Sequence, residues 1–251
     1  MMPATHFIDN ERLENTLKSY HHNPLAVWLY KSFDGLLLKD EIKDELRRYK
    51  VGTARLMGGS TVWWQVDHLM RVRSARIGKY SSDTGLPCGE PSLLHHELSI
   101  LEDLTYHSCY FGSHLLAENR YETTVLLFES ERSAMVAALM ARAIGYGMEL
   151  LVTPIACSGC DRFDRSMLDR LSTAGAMRVL RGCRVVVVPD NDNHVAWQRK
   201  AEGVQGWCET FVVSPLTTQR MFALLQSGEL TREQCAEIIM EYYRPALMQT
   251  A

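Results

Sequence analysis

Three acids stand where phosphoryl chemistry would need them. Glu129 directly follows the apolar run Thr124–Phe128, and Asp190 and Asp192 lie just beyond the apolar run Val185–Val188. Runs this short and this apolar read as strands buried on both faces. In open α/β sheets, ligands sit outside the carboxyl ends of the strands. If the two strands are neighbours, the three carboxylates meet there. Left alone they would repel and raise one another's pKa. A divalent cation removes that penalty. Mg2+ suits hard oxygens and keeps waters for a phosphate-bearing partner, with Mn2+ as its substitute. Glu129 could instead act as a general acid or base. The plainer reading is that acids often follow strands because loops are polar. Glu131 falls in a first helical turn, where the helix dipole favours an acid in either case.

A second feature is a local excess of positive charge. Between Leu46 and Tyr80, eight basic residues against the single acid Asp67 give +7, in a chain whose net charge is −3. Arg71, Arg73, Arg76 and Lys79 lie on or beside one expected strand, with Arg76 on the opposite parity to the other three. Such a strand suits phosphate contacts that position a nucleic acid without reading bases. The competing account is that these cations pair with acids and serve solubility or packing.

Other candidates are weaker. Cys157-x-x-Cys160 could be half a zinc site or a redox pair, but no second Cys pair at suitable spacing completes a zinc site. The seven cysteines are scattered and odd in number, which fits reduced thiols. His21-His22 and His95-His96 are adjacent pairs, which point different ways on a helix or strand; with His107 and His114 they leave a metal site open. No GxxxxGK[ST], GxGxxG or GxSxG motif occurs, so a P-loop, a dinucleotide fold and a nucleophile elbow are not indicated.

The elements that must hold these residues can be read from period and punctuation. The 251 residues are 46% hydrophobic and 23% charged, values of a globular chain of one or two domains. No apolar run long enough to span a membrane occurs, and the first residues carry no export signal; a cytoplasmic protein is expected. Helices are expected over about 9–20, 24–33 and 37–49. A hairpin follows, with strands at 61–66 and 71–80. From 123 strands alternate with helices: strands at 124–128, 150–153, 185–188 and 210–213, helices at 132–144, 165–175 and 194–202. That alternation predicts a parallel sheet covered by helices. Ser130 is the expected N-cap of the first of these helices. Two helices, 217–226 and 231–243, form a tail, and Thr231 to Gln234 resembles a capping box. The expected division is 1–122 mixed, 123–214 α/β and 215–251 helical.

The segments LLFESERSAMVAAL (126–139) and CRVVVVPDNDNHVAWQRKA (183–201) together resemble a Toprim domain, the catalytic fold of bacterial primases, type IA and II topoisomerases and related nucleases. The resemblance is greatest to an uncharacterised Toprim-like family of plasmid and mobile-element proteins from Bacteroidetes-type bacteria. In that fold an acid follows the first strand and Asp-x-Asp follows the third, which here implies Glu129, Asp190 and Asp192 as Mg2+ ligands, with Glu129 as general acid or base. Upstream, VWWQVDHLMRVRSARIGKY (62–80) looks like the segment that precedes Toprim in primases. Tyr110-Phe111-Gly112 looks like their short aromatic-Gly motif, and Ala156 to Gly159 like the loop after the second Toprim strand. The primase-like part therefore begins at about 45. The resemblance implies a Toprim-like parallel sheet, a small mixed α+β module before it and a helical tail. It implies Mg2+-dependent primase-like chemistry on single-stranded DNA or a primer-template, alongside a helicase or other replication protein. A Toprim-type nuclease and a noncatalytic adaptor are the alternatives. No Tyr lies in a recognisable nucleophile motif, which argues against a topoisomerase. One departure concerns the site itself: the family's usual Glu-Gly is here Glu129-Ser130.

Overall fold

Pro24 opens a helix because its fixed φ and missing N–H cost nothing at the first helical position. Asn23 caps that helix, its Oδ1 accepting from the N–H groups of Leu25 at 3.1 Å and Ala26 at 3.4 Å. The same Oδ1 accepts from Thr61 Oγ1, and Asn23 Nδ2 donates to Gly52 O. One buried amide thus ties the helix to two strands. In the computed structural model the described residues are 5–94, 98, 105–116, 123–145, 148–158, 163, 179–190, 194–208, 210–213 and 218–237. Asp192, Cys160, His95-His96, the expected helix at 165–175 and the far end of that at 231–243 lie outside them. The chain divides into two compact units, Met1–His114 and Leu115–Ala251.

The first unit contains β1 (Thr5–His6), α1 (Asn10–Glu14), α2 (Pro24–Ser32), α3 (Lys39–Arg48), β2 (Val51–Ala54), β3 (Ser60–Val66), β4 (Val72–Gly78), β5 (Ser92–Leu93) and β6 (Thr105–Tyr106). Strands β2 to β5 make an antiparallel sheet in chain order, and β1 pairs with β6 in parallel. β3 is buried along its whole length. One face carries Val62, Trp64 and Val66, which pack with Val72, Ala75, Ile8 and Leu13. The other carries Trp63, whose ring meets Phe111 edge-on at 5.3 Å and whose Nε1 donates to Tyr80 Oη. The hairpin is where the sequence placed it, but β4 contains a bulge. Gln65 pairs with Ser74 and the next residue, Val66, pairs with Val72, so Arg73 has no opposite number. The extra residue explains how Val72 and Ala75, of opposite parity, face the same core. Two elements differ from expectation: residues 51–54, just past the helix expected to end at 49, form β2, and α1 is a five-residue helix where one over 9–20 was expected.

The second unit contains β7 (Thr124–Phe128), α4 (Glu131–Ile144), α5 (Met148–Leu151), β8 (Val152–Ala156), β9 (Arg184–Val188), α6 (His194–Gly203), β10 (Thr210–Val213) and α7 (Thr218–Ser227). Its sheet is parallel with order β10-β9-β7-β8. α4 is buried on most of its surface because Ala134, Ala138, Ala141 and Ala143 let it lie close to its neighbours. β8 starts two residues later than its apolar run suggested, since Met148–Leu151 forms a helical turn. It also runs through Pro154, which was expected in a loop. Among the described strands β8 is an edge, where a residue without an N–H is tolerated. Thr231 and Gln234 form the expected capping box, with Thr231 N–H donating to Gln234 Oε1 and Gln234 N–H to Thr231 Oγ1. The whole is a mixed antiparallel module followed by a Toprim-like, helix-covered parallel sheet and a helical tail. No helix among the described residues is long and apolar enough to cross a membrane.

Candidate active site

Strand order decides where a ligand can sit. β7 leads on to β8 on one side and β9 leads on to β10 on the other, so the connections that follow these two neighbouring strands leave in opposite directions along the sheet. That reversal opens a crevice at the carboxyl ends of β7 and β9. Phe128 pairs with Val188, so Glu129 and Pro189-Asp190 leave adjoining strands side by side. The sheet thus brings Glu129 and Asp190 to one place. Asp192 lies outside the described residues.

Asp190 is held by the start of α4. Ser130 has extended backbone, φ −111° and ψ 148°, and its Oγ accepts from Ser133 N–H as the expected N-cap. The Ser130 hydroxyl donates to Ser133 Oγ at 3.0 Å, and Asp190 in turn accepts from the Ser133 hydroxyl and from Ser130 N–H. Asp190 Oδ1, however, is buried and has no hydrogen-bond partner among the described residues. Burial pushes the carboxyl above its ordinary value; the Ser133 and Ser130 hydroxyls, the Arg132 charge and Ser130 N–H offset only part of that. One oxygen of the carboxyl is therefore anchored by hydrogen bonds, while the other is buried without one among the described residues.

Ser130 occupies the place of the family's usual Gly without strain, since its φ is one any residue adopts. Its side chain caps the helix and bonds Ser133 Oγ, and its N–H ties the helix start to the acid. Glu131, expected to serve only the helix dipole, is buried and accepts a hydrogen bond from Ser158 Oγ in the loop after β8. That contact pins the β8 loop to the first turn of α4. The clue in the sequence was an acid in a first turn beside a strand end. Cys157 is a buried free thiol that donates to Phe128 O at 3.3 Å.

Among the described residues no group of three or more His, Cys, Asp or Glu side chains is placed to hold a metal ion. His114, one of the metal candidates, instead bonds Arg48 O through Nε2 at 2.9 Å. The unpartnered anionic Oδ1 of Asp190 and the carboxylate of Glu129 are hard oxygens, and that donor chemistry fits Mg2+.

The basic strand is organised around Asp67. Arg71 Nη2 lies 2.8 Å and Arg73 Nη1 3.3 Å from Asp67 Oδ2. Asp67 Oδ1 accepts from the N–H groups of Leu69 and Arg71. Burial raises the Asp67 carboxyl, but the Arg71 side chain and these two N–H groups outweigh it and hold it below its ordinary value. Both guanidinium groups also sit over the half-exposed Phe7 ring, at 4.6 and 5.2 Å. Arg76 lies on the other face, opposite Trp63 in register, and Lys79 is exposed past the strand end.

Residues 23–191 match a family described as a domain of unknown function, DUF6371. The chain belongs to the DUF6371 family. Among solved structures, this DUF6371 chain is similar to the primase catalytic core of E. coli, with 13% identity, a TM-score of 0.51 and 94% of this chain covering 82% of that one. It is also similar to the zinc-binding and RNA polymerase domains of Aquifex aeolicus primase, at 13% identity, 96% and 68% coverage and a TM-score of 0.44. The primase fragment of the bacteriophage T7 primase-helicase matches at 12% identity, 76% and 70% coverage and a TM-score of 0.41. No curated protein matches the DUF6371 sequence. At such identities the likeness is one of fold, that of a primase catalytic core.

Proposed function

We propose that this protein is a primase-like enzyme that carries out Mg2+-dependent phosphoryl transfer in replication, of a plasmid or other mobile element. The observation that carries the reading is the buried Oδ1 of Asp190, without a partner among the described residues, on a strand end beside that of Glu129 at the reversal of strand order. A protein rarely leaves a buried anionic oxygen bare unless something else binds it. Asp190 and Glu129, with Asp192, would hold Mg2+ (or Mn2+), which supplies a positive centre for nucleotide phosphates. Ser130 and Ser133 fix the Asp190 carboxyl so that it needs no reorganisation when phosphate arrives. Glu129 is the group available to accept or return a proton. Arg76 and Lys79 would hold the backbone of single-stranded DNA or a primer-template. Arg71 and Arg73 share their charge with Asp67 and would contribute less. A helicase or other replication protein is the partner this role requires.

A second reading is a noncatalytic adaptor. It is favoured by the network that ties Asp190 to Ser130 and Ser133, since such bonds can be purely structural, and by the pairing of Arg71 and Arg73 with Asp67. Labelled single-stranded DNA incubated with NTPs and Mg2+ or Mn2+, with partner proteins supplied, separates the readings. Extended products lost in Asp190→Asn support the primase. Shortened products mean a Toprim-type nuclease using the same acids. Binding without either product means the adaptor.

A further inference from the structure

The first unit contains a cavity of about 700 Å3 formed by the segment from Lys18 to Arg47. That lies within the roughly 300–1,000 Å3 of small-molecule sites. Among its described lining residues Lys18, Lys31, Lys39, Lys43 and Arg47 stand against one acid, Asp34. Lys31, Lys43 and Arg47 pair with Asp83, Asp40 and Asp44, at 3.2, 2.8 and 3.4 Å. Those three acids do not line the cavity. Lys18 and Lys39 are exposed, and neither forms an ion pair among the described residues.

The aromatic part of the lining adds a second observation. Tyr20 spends its hydroxyl on Val51 O at 2.8 Å. Tyr30 Oη is buried and has no hydrogen-bond partner among the described residues. Burial pushes the Tyr30 phenol up to about 12 against the opposing charge of Arg47, so at neutral pH it remains a donor. A buried donor left unmatched is a cost that a ligand oxygen would remove. Cations, an idle hydroxyl donor and an apolar wall of Val27 and two Tyr rings together suit a ligand with clustered negative oxygens and a flat ring.

We propose that this cavity binds a nucleoside polyphosphate, its phosphates against Lys18, Lys39 and Arg47 and its base against Tyr30 and Val27. A nucleic-acid backbone presents one charge per phosphate, spread along the strand. Several cations gathered around one cavity match the concentrated charge of a polyphosphate better. The site belongs to the unit without the carboxylates and does not rest on the function proposed above.

The test uses the full-length protein in EDTA, so that any cation-dependent binding at the acids is silent. ATP and inorganic triphosphate are titrated calorimetrically, with a short oligo-dT as the third ligand. ATP should bind, and more tightly than triphosphate. Lys18→Glu with Lys39→Glu should weaken both by at least about tenfold. Tyr30→Phe, which removes only the idle hydroxyl, should weaken ATP by about three- to tenfold. The double variant should fold: both lysines are exposed, and the new acid at position 39 falls in the first turn of α3, where the dipole favours it. Unchanged melting by circular dichroism checks this. No ATP binding at millimolar concentration, or equal binding by the double variant, overturns the proposal. So does oligo-dT binding that the double variant loses while ATP fails to bind, which would make the cavity part of a strand-binding surface.

Discussion

Replacing Asp190 by Asn removes a charge while keeping a shape, and the structure sets the size of the effect. Two hydrogen bonds, from the Ser133 hydroxyl and from Ser130 N–H, would pass from a charged to a neutral acceptor. That change costs roughly 0.5–1 kcal/mol each. Against it stands the bare Oδ1; relieving a buried, unsatisfied charged group returns about 1–3 kcal/mol. The metal-free variant should therefore lie within about 1 kcal/mol of the parent, a melting shift of no more than about 2–4 °C for a chain of this size. Asp190→Ala, which leaves the Ser donors without an acceptor, should cost about 2–3 kcal/mol. With Mg2+ at a hundred times its Kd the parent should gain about 2.7 kcal/mol, and Asp190→Asn should gain almost nothing. The pH dependence has a fixed sign. Because burial holds the Asp190 carboxyl above its ordinary 3.8, the stability it contributes is complete below that value and is lost as pH rises through the folded one. Lowering the pH from 7 towards 4 should thus favour the metal-free parent over Asp190→Asn. Differential scanning fluorimetry across pH and Mg2+ reads all of this. A loss above about 3 kcal/mol in the metal-free Asn variant, or equal Mg2+ stabilisation of both proteins, would refute the reasoning and make Asp190 a structural anchor.

Three further outcomes are expected. Asp67→Ala should destabilise by about 2 kcal/mol or more, because Leu69 N–H, Arg71 N–H and two guanidinium groups lose their acceptor; with its carboxyl held below the ordinary value, the Asp67 contribution is present at neutral pH and disappears as acid titrates it, which urea melts at pH 7 and pH 3 would show. His114, buried and pushed from 6.5 down to about 4 by burial first, then by the charges of Lys50 and Arg48 against its bond to Arg48 O, binds its proton only in the unfolded chain between those values. Stability should fall by about 3 kcal/mol as pH drops from 6.5 to 4, and His114→Gln should flatten that fall. Binding of single-stranded DNA should show a slope of log K against log salt of about −1.4 if Arg76 and Lys79 make the phosphate contacts, against about −2.8 if all four cations do; Arg76→Glu with Lys79→Glu should abolish the dependence, while Arg71→Glu with Arg73→Glu should mainly lower the melting temperature.

The strands of the second unit were legible because each is a short apolar run with no competing period. Thr124–Phe128 and Thr210–Val213 coincide with the expectation residue for residue. The adjacency of the first and third strands could be supposed but not read, since strand order is set by packing between distant segments. What the sequence did not carry was contact chemistry. Nothing in Glu-Ser-Glu said that Ser130 would bond Asp190, sixty residues on, or that Glu131 would be buried against Ser158. Short strands escaped for a related reason: Val51–Ala54 and Ser92–Leu93 are strands only because β3 and β4 lie beside them. The cavity at Lys18 to Arg47 was invisible because its cations come from separate helices and loops, with no spacing in common.

The bulge at Arg73 makes the first unit respond to a deletion in a way that substitution does not probe. One supernumerary residue separates two pairing frames: Ala75 and Ile77 share their face with Val72 only because the count slips once between Gln65 and Val66. Deleting Arg73 would set Val72 next to Ser74, in continuous register with Val66 and Gln65, and Val72, Ala75 and Ile77 would still alternate onto the core face. The loss would be the ion pair with Asp67 and the local twist that the bulge gives the strand. A hairpin that straightened while keeping Arg73 in the count would instead turn Val72 away from the core.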